Sequence, residues 1–378
     1  MSNLSPPSAG LPVTISMLPP LERFVEELRD IWASHRLTNA GPKVQAFEAA
    51  LQTELGVPNC LSFCNGGAAL LAGIAALKLE GEVVTTPFTF PGTTHCLALN
   101  HLTPVFADVD PLTYNLDPAA IEAAITPRTS AILAVHVFGN PCDVQAIEAI
   151  ASRRGLKVIY DGAHAFGVRV RGRSIAEYGD MQMFSFNATK LLTTGEGGGL
   201  VYKDAALEND LRRYRRWGML EEGDVTMPGA NAMLSEIHAA LGLCNLEQME
   251  EERRQRRLVI AAYRELLGSV PGVVLPAEPQ DVEQALTYFV IRITPDFGRD
   301  RDAVLQCLRA QGVLARRYFY PLCSRLPCYM HLPGAEPGAT PVAARIGEEV
   351  ISLPLYGSLG LQGVEQVCKL IRTAQNSY

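Results

Sequence analysis

The sequence predicts an α/β protein: a large domain with a mainly parallel central sheet flanked by helices, then a smaller C-terminal α+β domain. Three observations predict it. Between residues 60 and 203, short apolar runs alternate with helical patterns, as βαβ units do when their sheet is buried on both faces. After residue 230 the alternation gives way to a long helical stretch rich in Glu and Arg, then to a mixed pattern. A length of 378 residues exceeds one small core and suits a large domain plus a smaller one.

Taken in order, residues 1–20 carry Pro6, Pro7, Pro12, Pro19 and Pro20 and read as an extended N-terminal arm. A helix follows, with Leu21, Phe24, Val25, Leu28 and Trp32 in the i, i+3, i+4, i+7 spacing. L-T-N-A-G-P at 37–42 breaks it and precedes a second helix through Ala46, Phe47 and Leu51. Strands are expected at 60–64, 83–86, 104–109, 131–137, 157–161 and 198–202, with helices at 68–77 and 144–153 among them. The long helix covers 235–267, and the small domain has strand candidates at 288–293 and 317–320. The expected division is an arm over 1–20, a large domain over 21–250 and a small one over 251–378.

Composition narrows the function. Apolar residues make up 48% and charged ones 19%, as in globular proteins, with no internal repeat or low-complexity tract. The net charge of −7 gives no general affinity for nucleic acid or an anionic membrane. The basic clusters at 212–216 and 253–257 alternate with acidic runs and read as solvated helix faces. Nine cysteines are widely spread, none in a CxxC pair and none with the histidines of a zinc site, so reduced thiols and no metal are expected. With no apolar run long enough to span a membrane and no leader pattern, a cytoplasmic location is expected.

Three strand-end features carry chemistry. N-G-G-A-A-L at 65–70 closes a strand and opens a helix, where glycines and free N–H groups favour an anion; by itself it is more often a structural turn, and it matches neither the Rossmann nor the P-loop pattern. Y-D-G-A-H-A-F-G at 160–167 puts Asp161 at the end of an apolar run, where it either caps a helix or meets a cation. F-S-F-N-A-T-K-L-L-T-T-G-E-G-G-G at 184–199 holds Lys190, one of six lysines against 27 arginines, between Ser185 and a glycine-rich loop. Only lysine readily loses a proton and attacks a carbonyl. An anion cradle, a buried acid and a lysine on one sheet edge meet the needs of pyridoxal 5′-phosphate (PLP): an amine for its aldehyde, a carboxylate for its ring nitrogen and a cup for its phosphate.

With T-P-F-T-F (86–90), P-V-F-A-D-V-D (104–110), V-H-V-F-G-N-P-C-D (135–143), G-E-G-G (195–198) and N-A-M-L-S-E-I-H-A-A (231–240), these stretches resemble the sugar aminotransferases of the DegT/DnrJ/EryC1/StrS family, a branch of the fold-type I PLP enzymes, over nearly the whole chain. The resemblance implies that Lys190 bonds the cofactor and then moves the proton, and that Asp161 pairs with the ring nitrogen. It places His164 by the ring hydroxyl, Phe90 on the ring face, and Gly66, Gly67, Ala68 and Ser185 at the phosphate. Asn231 would reach in from the second subunit of a homodimer with composite active sites. Thr38, Asn39, Arg216, Arg317 and Tyr318 would touch substrate. The chain departs from the family pattern at Gly67, where relatives carry Thr, Ser or Cys, at Met233 (Arg or Lys) and at Asn187 (Tyr or His). The implied reaction moves an amino group from glutamate, or less expectedly glutamine, to a nucleotide-linked keto sugar, with the motifs nearest to enzymes acting at C4 of dTDP-4-keto-6-deoxyglucose. The alternatives are amination at C3 or on a cyclitol ketone, a dehydratase with histidine in place of lysine, and a regulatory relative without turnover.

Overall fold

Seven strands build the central sheet: β1 (Cys60–Phe63), β2 (Glu82–Thr85), β3 (Thr103–Phe106), β4 (Thr129–Val135), β5 (Lys157–Asp161), β6 (Met181–Ser185) and β7 (Gly198–Tyr202). The computed structural model describes residues 10–376, so Pro6 and Pro7 of the expected arm lie outside the described residues. The order across the sheet is β1-β7-β6-β5-β4-β2-β3. β7 runs against both its neighbours, and the remaining pairings are parallel. The strands are buried on both faces, which is why they read as continuous apolar runs and not as alternating ones.

The helices are α1 (Leu21–Ser34), α2 (Pro42–Leu55), α3 (Gly66–Ala76), α4 (Pro91–Leu99), α5 (Pro118–Ala124), α6 (Val144–Arg154), α7 (Glu208–Tyr214), α8 (Glu236–Leu267), α9 (Arg301–Ala310), α10 (Pro341–Glu349) and α11 (Gly360–Asn376). One sheet face packs Tyr160, Phe184 and Phe186 against α2, α6 and the first half of α8. The other packs Ile159, Met181 and Leu200 against α3 and α4. A separate core gathers Val259, Tyr263 and Leu267 of α8 with α9, α11 and the antiparallel strands β8 (Val273–Val274), β9 (Phe289–Ile293) and β10 (Val350–Leu353). Since α8 starts in the large core and ends in the small one, we place the domain division on it, near residue 250.

The described part of the arm is not free chain. Residues Leu11–Pro12 pair in parallel with Val313–Leu314, and Ser16 Oγ donates to Ala188 O over 2.7 Å. The arm thus links the small domain to the turn that carries Lys190. Residues 317–320, expected as a strand, form a turn instead. Arg316 makes an isolated bridge to Ser352, and Tyr320 N then donates back to Arg317 O over 3.2 Å. The run is aromatic and so reads as a strand, but Pro321 has no N–H for a ladder and Phe319 is drawn inward against Phe88 and His164.

The parallel strands set the site. β5 and β6 end at the edge of the sheet where α3 and α4 begin, the place where a parallel α/β sheet offers strand ends and helix N-termini to one ligand.

Candidate active site

Lys190 is presented by a turn after β6. Lys190 N donates to Asn187 O (2.9 Å), and Thr189 donates from N and Oγ1 to Asn187 Oδ1 (3.1 and 3.0 Å). The glycines behind it allow close approach: a Cβ on Gly198 would lie 2.5 Å from the Asn65 carbonyl, so β7 reaches the start of α3 only with glycine there. Lys190 Nζ lies 3.4 Å from Tyr288 Oη, which β9 of the small domain brings over the sheet edge.

Asp161 ends β5 and is buried. Its Oδ2 accepts from Thr93 Oγ1 at 2.7 Å and its Oδ1 from Ala163 N at 3.0 Å. Burial raises its pKa, opposed by these two donors and by the charge of Lys190. Three residues on, His164 is buried beside Phe138 and Phe319, its ring nearly parallel to both at 6.4 and 5.9 Å, with Tyr288 edge-on at 4.9 Å. Burial, then the charge of Lys190, holds its pKa well below the usual histidine value, so the imidazole is neutral. Its Nδ1 is buried without a hydrogen-bond partner.

α3 begins under this group. Asn65 caps it, Oδ1 accepting from Ala68 N at 2.8 Å. Gly66 and Gly67 stand in its first turn, where no intrahelical carbonyl serves their N–H groups. Phe90 precedes α4 and is 65% exposed, its ring on the rim of the cavity.

These parts face one cavity of about 400 Å³. Of the residues expected at the site, Gly66, Gly67, Phe90, Asp161, His164, Ser185, Lys190 and Tyr318 line it. Ala68, Asn231, Thr38, Asn39, Arg216 and Arg317 do not. The Ala68 amide is taken by the Asn65 cap. Thr38 and Asn39 are exposed in the turn before α2, and Asn231 is exposed and bridged to Arg216, which donates to Leu220 O. Arg317 turns away to Asp302 Oδ2 at 3.5 Å. Thr93 and Tyr288 also line the cavity and carried no site expectation from sequence, while Arg316 and Phe319 flank the expected Arg317 and Tyr318. Thr93 was findable as a hydroxyl in the first turn of α4, three residues after Phe90; Tyr288 gave no local signal, being 98 residues from its contact.

The lining fits PLP. A buried carboxylate with no hydrogen-bonded cation suits a protonated ring nitrogen, and the unpartnered Nδ1 of His164 marks polar capacity beside it. The N–H groups of Gly66 and Gly67, with Ser185, suit a phosphate. Among the described residues no group of three or more His, Cys, Asp or Glu is placed to hold a metal ion, and no helix is long and apolar enough to cross a membrane.

The model of the DegT/DnrJ/EryC1/StrS aminotransferase family matches residues 21–372. The chain is 39% identical over 364 residues to the dTDP-4-amino-4,6-dideoxy-D-glucose transaminase of Escherichia coli, covering 96% of this chain and 98% of that protein. It is 32% identical over 371 residues to the spore coat polysaccharide biosynthesis protein SpsC of Bacillus subtilis (strain 168), covering 93% of each. Among solved structures, DesI in the presence of its TDP-sugar product superposes with a TM-score of 0.92 at 36% identity, over 97% of this chain and 93% of that one.

Proposed function

The chain belongs to the DegT/DnrJ/EryC1/StrS aminotransferase family, and from that premise we propose that it is a PLP-dependent transaminase acting at C4 of a dTDP-linked keto sugar. The acceptor is dTDP-4-keto-6-deoxyglucose and the donor L-glutamate. The observation that carries this reading is the convergence of Lys190, buried Asp161 and the Gly66–Gly67 turn on one cavity, in a chain 39% identical to a transaminase of that name. The alternatives, amination at C3 or on a cyclitol ketone and a regulatory role without turnover, have no feature of the cavity in their favour. Lys190 in particular speaks against a dehydratase with histidine there and against a protein without turnover.

PLP, when bound, supplies an aldehyde that takes up an amine nitrogen and a ring that spreads the electron pair left when the adjacent carbon loses its proton. The protein supplies the rest. Lys190 Nζ would bond the aldehyde, and the same amine is placed to act as the acid–base group that moves a proton in the cavity. Asp161 keeps the ring nitrogen protonated, and Thr93 and Ala163 fix its two oxygens. His164, neutral, and the ring of Phe90 line the same cavity and would contact the cofactor ring. The amides of Gly66 and Gly67 and the hydroxyl of Ser185 hold the phosphate. Gly67 has no side-chain hydroxyl to add, so Asn231 of a second copy completes the cup in a homodimer, which works in the cytoplasm. Thr38, Asn39, Arg216 and Met233 lie outside the one-chain cavity, so any contact they make with substrate comes across that dimer.

Purified protein loaded with PLP is expected to be yellow and to bleach on adding glutamate. Adding dTDP-4-keto-6-deoxyglucose then restores the colour and yields an amino sugar detectable by mass spectrometry. A protein that bleaches but aminates only C3-keto or cyclitol acceptors overturns the C4 assignment.

A further inference from the structure

Arg316 and Tyr318 stand together on the cavity wall that comes from the small domain. Arg316 Nη1 donates to Tyr318 Oη over 2.8 Å, and its guanidinium carbon lies 5.9 Å from the centre of that ring. Tyr318 packs edge-on against Tyr288 at 5.6 Å, and Tyr288 Oη receives Lys190 Nζ. One continuous wall therefore joins the reactive amine to a guanidinium.

The charges on the cavity lining are otherwise committed. Glu196 accepts from Asn187 Nδ2 at 2.7 Å, Asp161 is bound by Thr93 and Ala163, and Lys190 is the reacting amine. Arg316 is the other cation on the lining, and among the described residues it makes no ion pair, whereas its neighbour Arg317 turns to Asp302. A guanidinium braced by a hydroxyl keeps a planar fork of N–H donors matched to a carboxylate or a phosphate. The brace also removes part of the rotamer freedom that binding would otherwise cost.

We infer that Arg316, held by Tyr318, is the oxyanion-binding residue of this cavity. The inference rests on the proposed transaminase reading, because both substrates of that reaction bring oxyanions: the donor its carboxylates, the acceptor its phosphates. A cavity that must take the two in turn gains from one cation that serves either.

The test is calorimetric titration of the PLP-loaded protein with two unreactive probes, glutarate for the donor and thymidine diphosphate for the acceptor. Arg316→Gln is expected to weaken at least one probe by about tenfold or more, the cost of losing a charge-assisted pair. A loss with glutarate assigns Arg316 to the donor, and a loss with thymidine diphosphate assigns it to the acceptor. In the affected arm Arg316→Lys recovers part of the loss, and Tyr318→Phe, which frees the guanidinium but keeps the ring, weakens binding by a smaller factor. Equal binding of both probes by Arg316→Gln and wild type overturns the inference, as does failure of wild type to bind either. Bleaching of wild type by glutamate is followed in the same samples. Its absence sinks the transaminase reading, whereas bleaching with unchanged probe binding sinks only the role of Arg316.

Discussion

At Asp161 the demands of stability and of chemistry oppose each other. Burial raises its pKa above the ordinary carboxylate value, so the ionised form is disfavoured in the folded chain. A raised pKa means that stability is full below the unfolded-state value and is lost as pH rises through the folded one. Stripped of PLP, Asp161→Asn is therefore expected to melt no lower than wild type at neutral pH, and the two melting curves should converge as the solution is acidified. Loaded with PLP, the same variant should lose at least about a hundredfold in rate, on the order of 3 kcal/mol, because nothing then holds the proton on the ring nitrogen. A mild loss would return Asp161 to a capping role. Lys190→Ala should still bind PLP but neither bleach with glutamate nor turn over; ordinary activity in that variant would refute the mechanism. Both residues were legible in the sequence only in combination, since each alone has an ordinary structural use but an anion cradle, an acid and a lysine at strand ends of one sheet together do not. Thr93 and Tyr288 were not, because their importance comes from partners that only the folded chain supplies.

Periodicity at the level of elements made most of the architecture readable. The expected strand at 157–161 is β5, the helix expected at 144–153 is α6 with one more residue, and the stretch 235–267 is α8. The aromatic run 317–320 misled because composition alone does not reveal whether rings pack on a pleated surface or line a cavity. The turn at 37–42 illustrates a second limit. What fixes it is Glu236, far along the chain at the start of α8: its buried carboxylate accepts from Lys43 N at 2.9 Å and from Val44 N at 3.2 Å, while Glu236 N donates to Leu37 O at 2.9 Å. One carboxylate thus serves the free amides at the start of α2 and ties that start to α8. Glu236→Ala leaves those amides unserved and is expected to lower stability by about 1–3 kcal/mol in denaturant unfolding, with Glu236→Gln losing less. An alanine variant as stable as wild type would show that the contact is incidental.

Across the whole molecule, the position of Asn231 decides how many chains make one site. It is exposed, is bridged to Arg216 and does not line the cavity of its own chain. Its proposed contact with the cofactor phosphate is therefore one made in another copy, and a two-fold dimer makes two such composite sites. The cavity gives a reason for such help, since Gly67 brings no hydroxyl and the Ala68 amide is already capped by Asn65. Asn231→Asp would set a carboxylate against the phosphate and should abolish PLP retention. Mixing chains tests the geometry. Unfold and reanneal Lys190→Ala with Asn231→Asp: each heterodimer then has one site with both defects and one site with neither. Random pairing makes about half the dimers mixed, so about a quarter of all sites should recover, from two parents that are each inactive. If each chain supplied its own Asn231, every site in the mixed dimer would carry one defect and no activity would return. A protein that sediments as a monomer while transaminating would dispose of the shared site altogether.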